Sequence, residues 1–228
     1  MNLIRALYSV VLDALFPLHP AERAVLSCGP EGAWNTLPRA PHVREARMCG
    51  IFAYKDERVA QLIWSIKYKK SHAGSAIAGY AMHQVAHQFL AALPHDMPVV
   101  IVPMPITRRR RRERGFNQCE LIMEAMIELD TAHRLAFAPG ILERVHHTSR
   151  LTLKDRQHRL DATATTRLFA TRTDSVERLM TATNTADPAQ LFIIVIDDVI
   201  TTGSTMKSAL EVLHNTGFTN LCGLSVAH

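Results

Sequence analysis

Apolar positions in this chain fall into two kinds of run. The first kind is short and apolar, rich in β-branched residues at 98–106 (PVVIVPMPI) and 191–196 (LFIIVI), with 221–226 (LCGLSV) as a last strand. Runs of this length without polar alternation predict strands covered on both faces, as in a parallel sheet. Shorter strands are expected at 51–54, 141–147 and 168–171. The second kind repeats at helical spacing. Val59, Leu62, Ile63 and Ile66 mark one helix face, and Ile77, Ala81, Val85 and Phe89 mark another within 74–93. Residues 116–129 (FNQCELIMEAMIEL) form a third helix, and Met206, Ala209, Leu210 and Leu213 line a fourth, ended by Asn215 and Gly217. Leu3, Leu7, Val11 and Leu15 give an amphipathic N-terminal helix stopped by Pro17. Strands alternating with helices predict an α/β fold, a parallel sheet flanked by helices.

Two stretches break the pattern. Residues 17–50 hold Pro17, Pro20, Pro30, Pro38 and Pro41 and read as a loop-rich lobe. The expected division is therefore a small N-terminal region over 1–50 and a main domain over 51–228. Residues 148–166 are polar and basic.

Composition adds little except in one place. The 228 residues, 47% hydrophobic and 21% charged, are ordinary for a globular chain with its own core. The net charge of +5 is concentrated in Arg108, Arg109, Arg110, Arg111, Arg112 and Arg114, read as the loop that follows the strand at 98–106. A local run of this kind points to an anionic partner, either phosphate groups or a nucleic-acid backbone. The four cysteines, Cys28, Cys49, Cys119 and Cys222, form no C-x2-C pair and suit a reducing cytoplasm, with Cys119 and Cys222 as buried small hydrophobes. Arg5 and Asp13 interrupt the N-terminal helix, so no membrane span is expected. His146 and His147, neighbours on an extended strand, cannot face one ion. The twelve histidines are read as surface or loop residues.

The most informative segment is FIIVIDDVITTGSTM, 192–206. An apolar strand ends in Asp197 and Asp198, and a turn of small hydroxyl residues leads into a helix. Ligands of open α/β sheets bind at such strand ends. Gly203 allows close backbone approach, and the free N–H groups and positive dipole end of the helix suit a phosphate. Thr201, Thr202, Ser204 and Thr205 add hydroxyl donors. The two carboxylates can accept hydrogen bonds from vicinal hydroxyls such as those of ribose. The segment resembles the motif by which type I phosphoribosyltransferases bind PRPP, a ribose 5-phosphate carrying pyrophosphate on C1.

A second segment, 102–122 (VPMPITRRRRRERGFNQCELI), narrows the resemblance to the ComF family of phosphoribosyltransferase-like, competence-associated proteins. The matching residues are Pro103, Pro105, Arg114, Gly115, Phe116, Asn117 and Gln118, together with Lys67 and Tyr68 after an early helix. The resemblance covers roughly residues 50–228. It implies the type I phosphoribosyltransferase fold, PRPP as ligand with Mg²⁺ as cofactor, and Pro105 among the groups meeting the pyrophosphate. It further implies Arg114 and Lys67 as the cations of the reaction. Where the family carries C-x2-C pairs, only Cys28 and Cys49 are present, and His19 and His42 follow no zinc spacing, so no metal site is expected there. Arg144, Thr148 and Arg159 correspond to a further family stretch, in which Leu151 stands where a glutamine is expected. Two functions stand side by side. One is Mg²⁺-dependent phosphoribosyl transfer to an unassigned acceptor. The other is a non-enzymatic module for DNA uptake, holding single-stranded DNA through Arg108–Arg112 and a partner such as a competence helicase. Aromatic residues near the arginine run are few in sequence, Phe116 alone lying close.

Overall fold

The computed structural model describes residues 18–41, 47–145 and 168–228. The expected N-terminal helix, His42, the pair His146–His147, Thr148, Leu151 and Arg159 lie outside the described residues.

The sheet has five strands: β1 (Met48–Phe52), β2 (Val99–Pro103), β3 (Leu135–Phe137), β6 (Phe192–Val199) and β7 (Asn220–Ala227). Their order is β1-β7-β6-β2-β3, and every pairing is parallel. Covered on both faces, β2 and the apolar part of β6 carry no polar alternation, as their sequences predict. A short antiparallel pair, β4 (Leu142–Arg144) with β5 (Phe169–Thr171), lies apart from the main sheet.

Eight helices are described: α1 (Pro20–Ser27), α2 (Gly29–Thr36), α3 (Glu57–Lys69), α4 (His72–Ala92), α5 (Arg108–Arg114), α6 (Gln118–Leu129), α7 (Thr173–Ala182) and α8 (Ser204–Asn215). None of the described helices is long and apolar enough to cross a membrane. The sheet divides the core in two. On one face Val59, Leu62, Ile66, Ile77, Met82, Ile122 and Met126 pack with Phe52, Ile101 and Ile194; on the other Met206, Leu213, Phe169 and Phe218 pack with Val102 and Val195.

Three local expectations change. The proline-rich stretch contains α1 and α2, because Pro20 and Pro30 occupy first-turn positions where a missing N–H costs nothing. Val25, Ala33 and Leu37 from this stretch join the core beside Phe52. The arginine run is a helix rather than a loop. Thr107 Oγ1 accepts from the Arg110 N–H at 3.1 Å, Gly115 closes the C-terminus at φ +80°, and Arg109 pairs with Glu113 at 2.6 Å and Arg111 with Glu120. Arginine is a good helix former once its charges have partners. Finally, α7 and β3 were not foreseen.

One topological fact positions the site. β2 continues outward to β3, whereas its neighbour β6 continues the other way to β7. Pro103 stands opposite Ile196, and the Met104 N–H donates to the Ile196 carbonyl at 2.9 Å. The segments leaving β2 and β6 thus diverge from adjacent strand ends and open a crevice at the carboxyl edge, the place where such sheets bind ligands.

Candidate functional site

β6 delivers Asp197 and Asp198 to this crevice, and Val199–Gly203 turns the chain into α8. Gly203 has φ +78°, a left-handed conformation that only glycine adopts readily, and it occupies the N-cap. Gly203 has no side chain to cap α8, and of the first backbone N–H groups that of Ser204 makes a long bond to Thr202 Oγ1 at 3.5 Å. The hydroxyls of Thr202 and Ser204 lie 3.1 Å apart beside them. Asp197 and residues 199–206 enclose a hollow of about 50 Å³. Thr201, Thr202, Gly203, Ser204 and Thr205 are thereby brought together around one small anion-sized cradle, with Asp197 on its rim.

The two carboxylates are in different situations. Asp198 is 5% exposed and held from both sides. Lys67, at the end of α3, forms an ion pair with its Oδ2, and Gln118 Nε2 donates to its Oδ1 at 2.9 Å. Among the described residues no cation pairs with Asp197. Its Oδ1 accepts from the Asp198 N–H at 2.9 Å and from the Cys119 thiol at 3.5 Å. Burial, and then the Asp198 carboxylate, push the Asp197 carboxyl up to about 8. Burial and the same carboxylates hold the Cys119 thiol well above its usual value, so it is a proton donor here and not a thiolate. Cys119 and Cys222 are both buried, as expected.

The Arg114–Gln118 segment owes its conformation to local chemistry. After the left-handed Gly115, Asn117 caps α6 by accepting from the Cys119 N–H at 3.0 Å. Its Nδ2 donates to the Met104 carbonyl at 3.0 Å, which stitches the exit of β2 to the start of α6. Gln118 is thereby aimed at Asp198, and Arg114 donates to Gln118 Oε1 at 3.0 Å. Next to this stitch lies a second cleft of about 260 Å³, lined by Pro105, Arg108, Arg111 and Arg144 among others. Burial first, and then the neighbouring Arg110, hold the Arg144 guanidinium below its ordinary value. An anion placed in the cleft would relieve that repulsion.

Asp197 and residues 201–205 thus line the hollow at the end of β6, and Pro105 lines the second cleft, at the exit of the neighbouring strand β2. Lys67 and Arg114 stand behind the carboxylates, tied to Asp198 and Gln118. Sequence reasoning did not find the partnerships of Gln118 and Cys119 with the aspartates. It also missed a group of aromatic residues. Trp64 and Tyr68, one turn apart on α3, are 44% and 60% exposed, with ring centroids 5.7 Å apart. The Arg114 guanidinium lies 5.2 Å from the Tyr68 ring, Lys69 Nζ 4.8 Å from the Trp64 ring and Lys70 Nζ 5.9 Å from the Phe116 ring. The aromatics missing beside the arginine run in sequence are supplied in space by α3.

Residues 137–222, which include the β6 turn, match the model of the phosphoribosyl transferase domain. The chain is 28% identical over 202 residues to the DNA utilization protein YhgH of Salmonella typhimurium, an alignment spanning 87% of this chain and 76% of that protein. It is 29% identical over 161 residues to the DNA utilization protein YhgH of Salmonella typhi, spanning 68% of this chain and 61%, less than two thirds, of that protein.

Proposed function

We propose that the chain is a phosphoribosyltransferase-like protein of the ComF type, and that its crevice binds PRPP together with Mg²⁺. The observation that carries the reading is the β6 turn, where an uncapped helix N-terminus and a ring of hydroxyls adjoin a carboxyl without a cationic partner. The 5-phosphate takes the cradle at 201–205. The ribose hydroxyls donate to Asp197, which Asp198 supports from behind. The pyrophosphate lies toward Pro105, Arg108, Arg111 and Arg144, whose cations stabilise it as it leaves C1. The residues fit the metal: a carboxyl held protonated beside a second carboxylate gains most from an oxygen-seeking cation. Mg²⁺ bound there supplies charge neutralisation for the leaving pyrophosphate. Lys67 acts as a positioning residue, fixing Asp198 by charge. The name of the relatives leads us to place this activity in DNA utilisation.

Calorimetric titration with PRPP and Mg²⁺ tests the reading. Wild type is expected to bind, and Asp197→Asn/Asp198→Asn to lose roughly 100-fold or more, since each charge-assisted hydrogen bond is worth about 1.5–3 kcal/mol. Because Asp197 titrates near 8 without ligand and binds the sugar and metal as the anion, a proton leaves on binding at neutral pH. The measured heat therefore changes with the ionisation enthalpy of the buffer. Absence of binding by wild type overturns the reading.

The α3 aromatics favour a second function at an adjoining surface. Exposed Trp64 and Tyr68 with Phe116 offer ring faces, and Lys69, Lys70, Arg114 and helix α5 offer cations, which together suit single-stranded DNA. Trp64→Ala/Tyr68→Ala is expected to weaken an oligothymidylate by about 10- to 100-fold at fixed salt, from stacking worth roughly 1–3 kcal/mol per base. PRPP binding should be unchanged. Glutamine at Arg108–Arg112 should lower the salt dependence by about 0.7 in slope for each phosphate no longer neutralised. An unchanged affinity in the aromatic variant sinks this second function.

A further inference from the structure

α4 and α6 approach closely enough for Gly79 to be required. A Cβ there would stand 2.6 Å from the Ala125 Cβ and 3.1 Å from the Ile122 carbonyl oxygen. One and two turns further along α4, on the same face, come His83 and His87. Their rings lie 4.2 Å apart between centroids, at 45°. Across from them is Asp130, which ends α6 and is buried. One ligand atom from each of the three lies within 4.8 Å of the others.

The polar atoms of this cluster are not at rest. Both ring nitrogens of His83 and Nε2 of His87 are buried without a hydrogen-bond partner. Buried polar atoms are nearly always satisfied, so three orphans in one place call for a ligand. Each neutral imidazole carries its proton on one ring nitrogen and a lone pair on the other, and the lone pairs of His83 and His87 are what a cation accepts. Asp130 supplies the negative charge. Its Oδ1 accepts from the Arg134 N–H at 3.1 Å and its Oδ2 from the Leu135 N–H at 2.8 Å. These bonds leave lone pairs on each oxygen and fix the carboxylate in place, as partners of ligating groups do. As whole residues His83 and His87 are only partly covered, so solvent lies close to the buried nitrogens.

We propose that His83, His87 and Asp130 form a binding site for a divalent transition-metal ion, best suited to Zn²⁺. Two imidazoles and one carboxylate favour zinc over Mg²⁺ or Ca²⁺, which prefer oxygen alone, and leave a fourth position for water. The site is separate from the crevice. Gln118 and Asp130 stand at opposite ends of α6, about 18 Å apart at helical rise. The ion joins α4 to the end of α6 and to the turn that enters β3, while its water position stays open.

The test is titration of the chelator-treated full chain with Co²⁺, followed by Zn²⁺. The expected result is one equivalent of Co²⁺ with visible ligand-field bands and no thiolate charge-transfer band, displaced by Zn²⁺. His83→Leu and His87→Leu fill their space with apolar atoms and should fold without metal. Each should lose more than the roughly 10- to 100-fold in affinity that removal of an outer-shell partner costs. Zinc should raise the unfolding temperature of wild type and leave that of both variants unchanged. PRPP binding by the variants should persist. No bound metal in wild type, a thiolate band, or equal affinity in the leucine variants would each overturn the site.

Discussion

Replacing Lys67 with methionine lowers the unfolding temperature by roughly 6–12 °C, corresponding to about 3 kcal/mol for a chain of this length. The methionine keeps the aliphatic stem of the lysine on α3 and removes only the charge. Asp198, 5% exposed, is then left with the Gln118 amide as its one described partner. An uncompensated buried carboxylate is costly, whereas the pair as a whole is not strongly stabilising. Because the Lys67 ammonium retains some exposure, the loss falls at the low end of the range for breaking buried pairs. A double-mutant cycle separates the two contributions: Lys67→Met/Asp198→Asn should recover most of the loss of Lys67→Met, with a coupling energy of about 2–3 kcal/mol. Thermal unfolding of the four proteins decides it. Additive single effects would show that Lys67 acts through something other than Asp198.

Gly79→Val costs about 2–3 kcal/mol, or roughly 4–12 °C in unfolding temperature. Glycine is normally a liability within a helix, by about 1 kcal/mol relative to alanine. Here the gain in propensity is outweighed, because the obstructing atoms are the Ala125 Cβ and the Ile122 carbonyl, neither of which can rotate away. The swap Gly79→Ala/Ala125→Gly moves the missing methyl group from one helix to the other. It should unfold at a higher temperature than Gly79→Ala alone. Measuring both in chelator keeps the adjoining histidine cluster out of the comparison. If Gly79→Val is as stable as wild type, α4 and α6 can separate without penalty and the contact is not tight.

The legible parts of the sequence were those in which one physical signal dominated. LFIIVI has no polar residue and can only be a strand covered on both sides, and DDVITTGST carries its turn and cap in its own small residues. The long helix α4 was foreseen within two residues at either end. Elements with divided signals were not. TDSVERLMTA, which forms α7, has few apolar positions, and β3 pairs only three residues, too few to show a period. The arginine run hid a helix because like charge argues for a loop until Glu113 and Glu120 are seen to answer it. At the site, the residues of the β6 turn were found and their neighbours were not. Gln118 and Asp198 are 80 positions apart, and Lys67 is further still, so only the sheet could bring them together. The same holds for the aromatics: Tyr68, with Trp64 against it, stands beside Arg114 in space, 46 residues away in the chain. Histidines read as surface or loop residues include His83 and His87, whose four-residue spacing was visible but whose third member, Asp130, was not.

The strand order also fixes when during synthesis the crevice can exist. β2 ends at Pro103, and its neighbour β6 begins at Phe192, so one edge of β2 waits for roughly 90 further residues to be made. At about 5–20 residues per second on the ribosome, that delay is roughly 5–20 s. β1 waits longer, since its partner β7 starts only at Asn220. Throughout that interval the nascent chain presents the apolar edge of VVIVP without its mate, next to a cluster of arginines that keeps neighbouring chains apart by charge.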